Sequence, residues 1–100
     1  MAKKVILTPL AMRNYEGIVL YLLSNWGSHV ANKFIARFDE VHKFLSESPK
    51  LFPFENRGKQ IQKCLLTKHN MIYFREYDKV VKILTIFDTR QDPGKLSKII

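Results

Sequence analysis

Apolar residues recur with helical spacing in the segment that follows Thr8 and Pro9. Threonine is a favoured N-cap and proline a favoured first helical residue, so this pair predicts the start of a helix. The apolar side chains that come next follow a 4-3-4 spacing and therefore share one helical face: Ala11, Tyr15, Ile18 and Leu22. The segment from Ser24 to Gly27 predicts the end of this helix and a loop of about four residues.

A second helix is predicted directly after that loop, with Ser28 as its N-cap. Its apolar positions keep a 3-4-3-4 spacing and form a single stripe: Ala31, Phe34, Phe38, Val41 and Leu45. Pro49 predicts that the helix ends near Ser48. Because the link between the two helices is short, we expect them to pack side by side as an antiparallel αα-hairpin.

The rest of the pattern is typical of β-strands. Residues 3–8 predict a short N-terminal strand, and Pro49 to Gly58 reads as a loop. Three runs rich in β-branched and aromatic residues follow: Gln60 to Leu66, Met71 to Tyr77 and Val80 to Phe87. Asp92-Pro93 predicts a short C-terminal helix. The chain therefore predicts an α+β fold, with an N-terminal strand, an αα-hairpin and a three-stranded antiparallel meander packed on the helices, in a single domain over residues 1–100.

The turns between these runs predict how the strands pair. A two-residue turn at Asp78-Lys79 predicts two cross-strand pairs, Phe74 with Ile83 and Arg75 with Lys82. A three-residue turn from Lys68 to Asn70 predicts three more, Leu66 with Ile72, Cys64 with Phe74, and Lys63 with Arg75. Since cross-strand neighbours share a face, the face toward the helices should hold Cys64, Leu66, Ile72, Phe74, Val81, Ile83 and Phe87.

The opposite face of the predicted sheet mixes apolar and cationic side chains. We call it the outer face, and it should hold Lys63, Leu65, Tyr73, Arg75, Lys82, Leu84 and Ile86. Exposed apolar surface with charges around it usually marks an interaction site. Partner binding is therefore predicted for Leu65, Tyr73, Lys82, Leu84 and Ile86, unless residues 1–8 or the tail from Gly94 to Ile100 cover this face.

The charge of the chain indicates which kind of partner it should bind. The 100 residues include 17 Lys and Arg against 9 Asp and Glu, a formal net charge of +8. Five cations and no acid lie between Asn56 and Arg75, so this segment should dominate the surface potential. An anionic partner is the natural expectation, and a solvated, solubilising face is the alternative.

The cysteine, histidine and apolar content exclude several classes of protein. Cys64 is the single cysteine, and together with three scattered histidines it gives no zinc-binding spacing. The longest apolar run, Ile18 to Leu23, is far shorter than the roughly 20 residues of a membrane helix. We therefore expect a cytoplasmic protein with no cofactor, no metal and no membrane partner.

Enzymatic chemistry is predicted only in one form, metal-independent cleavage of RNA. Such cleavage needs a proton acceptor, a proton donor and cations for the charge that develops on phosphorus. Arg75, Lys63, Lys82 and Arg90 supply cations. The histidines at 29, 42 and 69 are expected to be surface residues, whereas Tyr73 could transfer a proton if neighbouring cations lowered its pKa.

Two segments carry a resemblance to a known family. The run from Leu65 to Arg75, which includes Tyr73-Phe74-Arg75, and the run Phe87-Asp88-Thr89-Arg90-Gln91-Asp92-Pro93 resemble the RelE/ParE superfamily of bacterial type II toxin-antitoxin toxins. The resemblance covers nearly the whole chain and is strongest from Lys63 to Pro93. It implies a small, basic, cytoplasmic toxin that a cognate acidic antitoxin neutralises.

The two branches of this superfamily imply different targets. RelE-like members cut messenger RNA on the ribosome without a metal, and the resemblance would give Arg75, Arg90 and Lys63 catalytic roles. ParE-like members act against DNA gyrase. After Pro93 this chain has no Tyr or His where the nuclease members have one, so it is more similar to the ParE-like branch. A toxin that inhibits its target by binding is the first prediction, and a ribosome-dependent endoribonuclease is the alternative. A non-toxic nucleic-acid-binding module is a third possibility, which comes last because the sequence has no aromatic stacking motif and no recognition helix rich in Arg and Asn.

Overall fold

A computed structural model describes residues 2–100 and shows an α+β fold. Met1, the first residue of the predicted domain, lies outside the described residues. The elements, in chain order, are β1 Lys4–Leu7, α1 Pro9–Trp26, α2 Ser28–Glu47, β2 Phe54–Asn56, β3 Ile61–Thr67, β4 Asn70–Glu76, β5 Val80–Asp88 and α3 Pro93–Ile99. A single 3-10 turn, Pro49–Leu51, follows α2. The predicted fold class is confirmed.

The helical hairpin begins where the sequence predicts but turns more sharply. Thr8 caps α1, and its Oγ1 accepts a hydrogen bond from the Ala11 backbone N–H at 3.0 Å. The predicted four-residue loop is wrong, because α1 continues to Trp26 and only Gly27 separates the helices. Gly27 has a φ of +92°, which reverses the chain within one residue and also takes the N-cap position predicted for Ser28.

The sheet has five strands in the order β1-β5-β4-β3-β2, with α1 and α2 on one face. β1 lies parallel to β5, and the other neighbouring strands are antiparallel. β2 falls in the segment that the sequence predicts as loop. Its three residues pair with the start of β3, Phe54 opposite Gln62, and the pairing is too short to leave an alternating pattern in the sequence.

The predicted pairing of β4 with β5 is correct near the turn that joins these strands and wrong farther from it. Phe74 lies opposite Ile83 and Arg75 opposite Lys82, as predicted. An irregularity between Tyr73 and Phe74 then shifts the register by one residue, so Ile72 lies opposite Ile86. The assignments of Ile86 to the outer face and Phe87 to the helix-facing side are therefore wrong, because Ile86 belongs to the main core and Phe87 to a cluster on the outer face.

A partly buried asparagine of α1 accounts for this shift. Asn14 Oδ1 accepts hydrogen bonds from Thr85 Oγ1 at 2.7 Å and from the Ile86 backbone N–H at 3.1 Å. Both donors lie in β5 where the register changes, so α1 satisfies polar groups that a regular ladder would pair within the sheet. Helix packing therefore determines which side chains of β5 enter the core.

Pairing of β3 with β4 is displaced by two residues from the prediction. Cys64 lies opposite Ile72 rather than Phe74, and Lys63 lies opposite Tyr73 rather than Arg75, because the turn contains two residues and the register shifts between Leu65 and Thr67. A displacement of two residues keeps every side chain on its predicted face. Cys64 and Leu66 are consequently buried in the core as expected, and burial raises the pKa of the Cys64 thiol.

Candidate functional site

The outer face is partly covered by the C-terminal helix. Asp92 caps α3 by accepting a hydrogen bond from the Gly94 N–H at 2.9 Å. Leu96 and Ile100 then pack on a small buried cluster of Ile61, Tyr73 and Phe87. The expectation that this face is open is wrong over this cluster, since the tail covers it.

The five side chains predicted to bind a partner do not form one surface. Tyr73 is only 6% exposed beneath α3, and Ile86 is 3% exposed on the helix-facing side of the sheet. Leu65 is 51% exposed, and Lys82 and Leu84 are partly exposed on the outer face. Both errors have a physical cause: α3 removes Tyr73 from solvent, and the register shift in β5 turns Ile86 inward.

The three cations predicted for RNA cleavage lie in different surroundings. Arg75 is on the outer face, where its Nε donates to the Lys59 carbonyl at 3.0 Å. Lys63 forms an ion pair with Glu55 at 3.3 Å. Arg90 lines a large groove on the helix-facing side and holds Asp88 with two side-chain hydrogen bonds, at 3.0 and 2.8 Å. Arg75 and Arg90 line two separate cavities.

The two tyrosines of β4 and its turn have opposite properties. Burial raises the pKa of Tyr73, which removes the condition under which it could transfer a proton. The pKa of Tyr77 is lowered, mainly by the hydrogen bond from the Arg75 guanidinium, whose Nη1 lies 3.5 Å from the Tyr77 hydroxyl. Tyr77 was not among the predicted site residues, although its position two residues after Arg75 in an alternating strand places both on one face.

A groove of about 960 Å³ lies between α1, α2 and β5 and extends past the end of β5 to Ile99 of α3. We call it the helix–sheet groove. Its apolar lining comes from both helices and from the helix-facing side of β5: Ile18, Leu22, Val30, Phe34 and Ile86. At the far end the groove also reaches Phe87, which belongs to the outer-face cluster. Tyr21 and Trp26 also line it and are 59% and 66% exposed. Exposed aromatic side chains beside an apolar lining are typical of protein-binding surfaces.

Cations dominate the polar lining of the helix–sheet groove. Arg13, Lys33, Arg37 and Arg90 line it, and Asp88 is its single acid. Asp88 is already hydrogen-bonded to Arg90, and these bonds lower the pKa of its carboxyl to about 2. Arg37 is also engaged, since its Nε donates to the Leu66 carbonyl at 2.8 Å and it forms an ion pair with Glu40.

Two cations of the groove remain available to a partner. Within residues 2–100, no carboxylate lies within 4.0 Å of the side-chain nitrogens of Arg13 or Lys33. In the same range no helix is long and apolar enough to cross a membrane, and no three potential metal ligands come together. The groove therefore combines aromatic anchors, an apolar lining and uncompensated positive charge.

Several solved structures have a similar fold. A chain of the chromosomal ParDE TA system from P. aeruginosa superposes with a TM-score of 0.73 at 18% identity, over 87% of this chain and 96% of that one. The YoeB dimer from Staphylococcus aureus gives 0.62 at 13% identity, over 87% and 97%. The YoeB/ParE toxin from Agrobacterium tumefaciens gives 0.59 at 9% identity, over 85% and 97%. At these identities the likeness concerns the fold alone.

The sequence itself establishes the family. No curated protein sequence is significantly similar to the chain. Residues 5–93, however, match the family described as "ParE toxin of type II toxin-antitoxin system, parDE". This range runs from β1 through the loop after β5 and includes every strand that forms the sheet except the first residue of β1. The chain belongs to the ParE toxin family of type II toxin-antitoxin systems.

Proposed function

We propose that a cognate antitoxin neutralises this toxin by placing an acidic segment with apolar anchors in the helix–sheet groove, and that the free toxin acts in the cytoplasm by inhibiting DNA gyrase. The groove is the observation that supports the first part. Its aromatic and apolar lining suits buried anchors, and Arg13 and Lys33 suit carboxylates. Family membership supports the second part.

The exposed aromatics should dominate the affinity for the antitoxin. Trp and Tyr are the residues most often found as binding hot spots, and truncation of a hot spot costs about 2 kcal/mol or more. We therefore expect Trp26→Ala to weaken antitoxin binding about 30-fold in a calorimetric titration. Phe44→Ala is the matched control, since Phe44 is also an exposed aromatic but lies outside the groove.

Charge-reversal variants distinguish the effect of a cation in the groove from the effect of the toxin's net charge on antitoxin binding. Lys33→Glu should weaken antitoxin binding, whereas Lys43→Glu, the same change on the same helix but outside the groove, should have a much smaller effect. Equal effects of the two variants, together with no effect of Trp26→Ala, would contradict docking in the groove. The predicted antitoxin contact at Lys82 and Leu84 on the outer face stays a separate prediction, which Leu84→Ala tests in the same titration.

The gyrase target requires its own experiment. Expression of the toxin without antitoxin should arrest growth, reduce plasmid supercoiling and leave messenger RNA intact. Purified toxin should also inhibit supercoiling of relaxed plasmid by purified gyrase. Arrested growth with normal supercoiling in both assays would refute this target and leave antitoxin binding unaffected.

One feature favours the alternative, metal-independent cleavage of ribosome-bound messenger RNA. The lowered pKa of Tyr77 beside Arg75 gives the outer face a group suited to accept a proton. Cleavage of message on purified ribosomes, unaffected by a chelator and lost in Arg75→Ala, would establish this activity. Intact message under the same conditions would exclude it.

A further inference from the structure

Helix α1 carries apolar side chains on every side. Only Arg13 and Glu16 are charged among its 18 residues, and the run from Ile18 to Leu23 is apolar without interruption. A run of this length covers the whole circumference of an α-helix, because one turn takes about 3.6 residues. Helices that are apolar all round are normally buried, yet Ala11 is the single fully buried residue of α1. The fold of one chain therefore leaves much of this apolar surface uncovered.

The uncovered surface of α1 has two sides. One side, with Asn14, Gly17 and Tyr21, lines the helix–sheet groove. The other side takes no part in the groove, and its apolar residues recur three or four positions apart, so they share one helical face. Leu20 at its centre is 62% exposed. We call this side the α1 stripe, and it consists of Met12, Val19, Leu20 and Leu23.

The helical face that contains the α1 stripe has the size of a protein interface. Tyr15 of α1 packs on Phe38 of α2, with 4.6 Å between the ring centroids, so the two helices lie side by side. A helix of 18 residues is about 27 Å long, and two packed helices are about 20 Å wide. With the added surface of its side chains, such a face is comparable with the area of about 800 Å² that each partner contributes to a standard interface.

The charges beside the α1 stripe indicate the kind of partner. Glu16 lies between Met12 and Leu20 on the same helical face. Asp39 lies close to α1, since burial and the Asp39 carboxylate both raise the pKa of Tyr15. Within residues 2–100, no cationic nitrogen comes within 4.0 Å of either carboxylate. These unpaired acids repel an acidic peptide or a nucleic acid and favour a cationic partner. A second copy of this chain has a net charge of +8 and the same apolar stripe.

We propose that the α1 stripe is the interface of a two-fold symmetric homodimer of the toxin. Both copies contribute the same residues to such an interface, so the two stripes pack together and each copy offers cations to the carboxylates of the other. Tyr21 and the helix–sheet groove lie on the other side of α1, which leaves the groove of each copy open to an antitoxin. The dimer therefore depends neither on the proposed antitoxin site nor on the gyrase target.

Analytical ultracentrifugation of the purified toxin without antitoxin tests the dimer. From about 1 μM to about 200 μM protein, the mass should rise from 11.8 kDa toward twice that value. Leu20→Asp places a charge in the stripe and should weaken self-association about 10-fold or more. Tyr21→Asp is the matched control, because Tyr21 is the next residue of α1 and similarly exposed but lies in the groove. Tyr21→Asp should leave the dimer intact and weaken antitoxin binding, and Leu20→Asp should do the reverse.

A charge-reversal pair tests the role of the unpaired acids. Glu16→Lys should weaken the dimer, whereas Glu47→Lys, the same change at the end of α2, should have a much smaller effect. Circular dichroism of each variant checks that it is folded. A mass of 11.8 kDa at every concentration would overturn the proposal, and so would assembly beyond two copies, because a two-fold interface closes at a dimer. Equal effects within either pair of variants would overturn it as well. A failed antitoxin titration or gyrase assay would not change these masses.

Discussion

The two faces of the sheet carry charge in different ways. On the helix-facing side, cations line a deep groove that also contains exposed aromatic and apolar side chains. On the outer face, Leu96 of α3 and the following Ile100 cover the apolar cluster, while Leu65 and Tyr77 stay exposed and Lys82 and Leu84 stay partly exposed. The net charge of +8 is therefore divided between two surfaces with different surroundings. The surroundings of the cations, rather than their number, differ between the two faces.

The largest expected effect tests the face to which Ile86 belongs. Ile86→Ala removes part of a buried side chain from the main core and should lower the free energy of unfolding by about 2–5 kcal/mol. Leu65→Ala, at a half-exposed position of β3, should lower it by much less. Urea unfolding of both variants is the measurement. Equal losses would place Ile86 back on the outer face and remove the distinction between the two sides.

A smaller effect tests the contact that turns Ile86 inward. Asn14→Ala leaves the Thr85 hydroxyl and the Ile86 N–H without their acceptor, which should cost about 1–3 kcal/mol. Asn32→Ala, at an exposed position of α2, is the control and should change stability little. If the two variants unfold at the same urea concentration, the contact between α1 and β5 does not maintain the register shift.

The packing of α3 on the outer face should be less stable than the packing of the main core. Leu96 is the α3 side chain that packs on the cluster of Tyr73 and Phe87, and Ile100 packs there directly after the helix. Leu96→Ala should therefore increase amide hydrogen exchange in α3 by several-fold while the exchange of β4 and β5 stays slow. Uniform acceleration throughout the chain would instead show that α3 and the sheet open as a single unit.

The smallest effect concerns the acid of the groove. Asp88 has a folded-state pKa of about 2, below its ordinary value of 3.8, because Arg90 bonds to the charged carboxylate. A lowered pKa stabilises the fold above pH 4, and this stabilisation is lost as the pH falls toward 2. Asp88→Asn should therefore make stability less dependent on pH between 4 and 2, as followed by circular dichroism. An unchanged acid profile would show that the pair contributes nothing measurable.

Local patterns identify most of the fold. The helical stripe from Ala31 to Leu45 is buried as its spacing predicts, and Thr8-Pro9 starts α1 as its chemistry predicts. Both features depend on neighbours in sequence. The strand pairs Phe74–Ile83 and Arg75–Lys82 are also predicted correctly from the sequence, because the two-residue turn between the strands determines them.

Features that depend on distant residues were missed. The register shift in β5 needs Asn14, 71 residues away from Thr85, and no alternation within the strand reveals it. The burial of Tyr73 depends on Leu96 of a seven-residue helix and on Ile100, which follows that helix. The helix–sheet groove likewise arises from the separation of α1, α2 and β5, so its aromatic rim at Tyr21 and Trp26 looked like an ordinary helix end in the sequence.

The guanidinium of Arg37 covers part of an unpaired strand edge of the sheet. β2 pairs only with the first residues of β3, which leaves the later part of β3 as a free edge. An unpaired strand edge invites pairing with another chain and hence aggregation. Arg37 donates to the carbonyls of Leu65 and Leu66 at 3.2 and 2.8 Å and so occupies acceptors that a foreign strand would need. A side chain of α2 thereby protects the protein from uncontrolled strand addition.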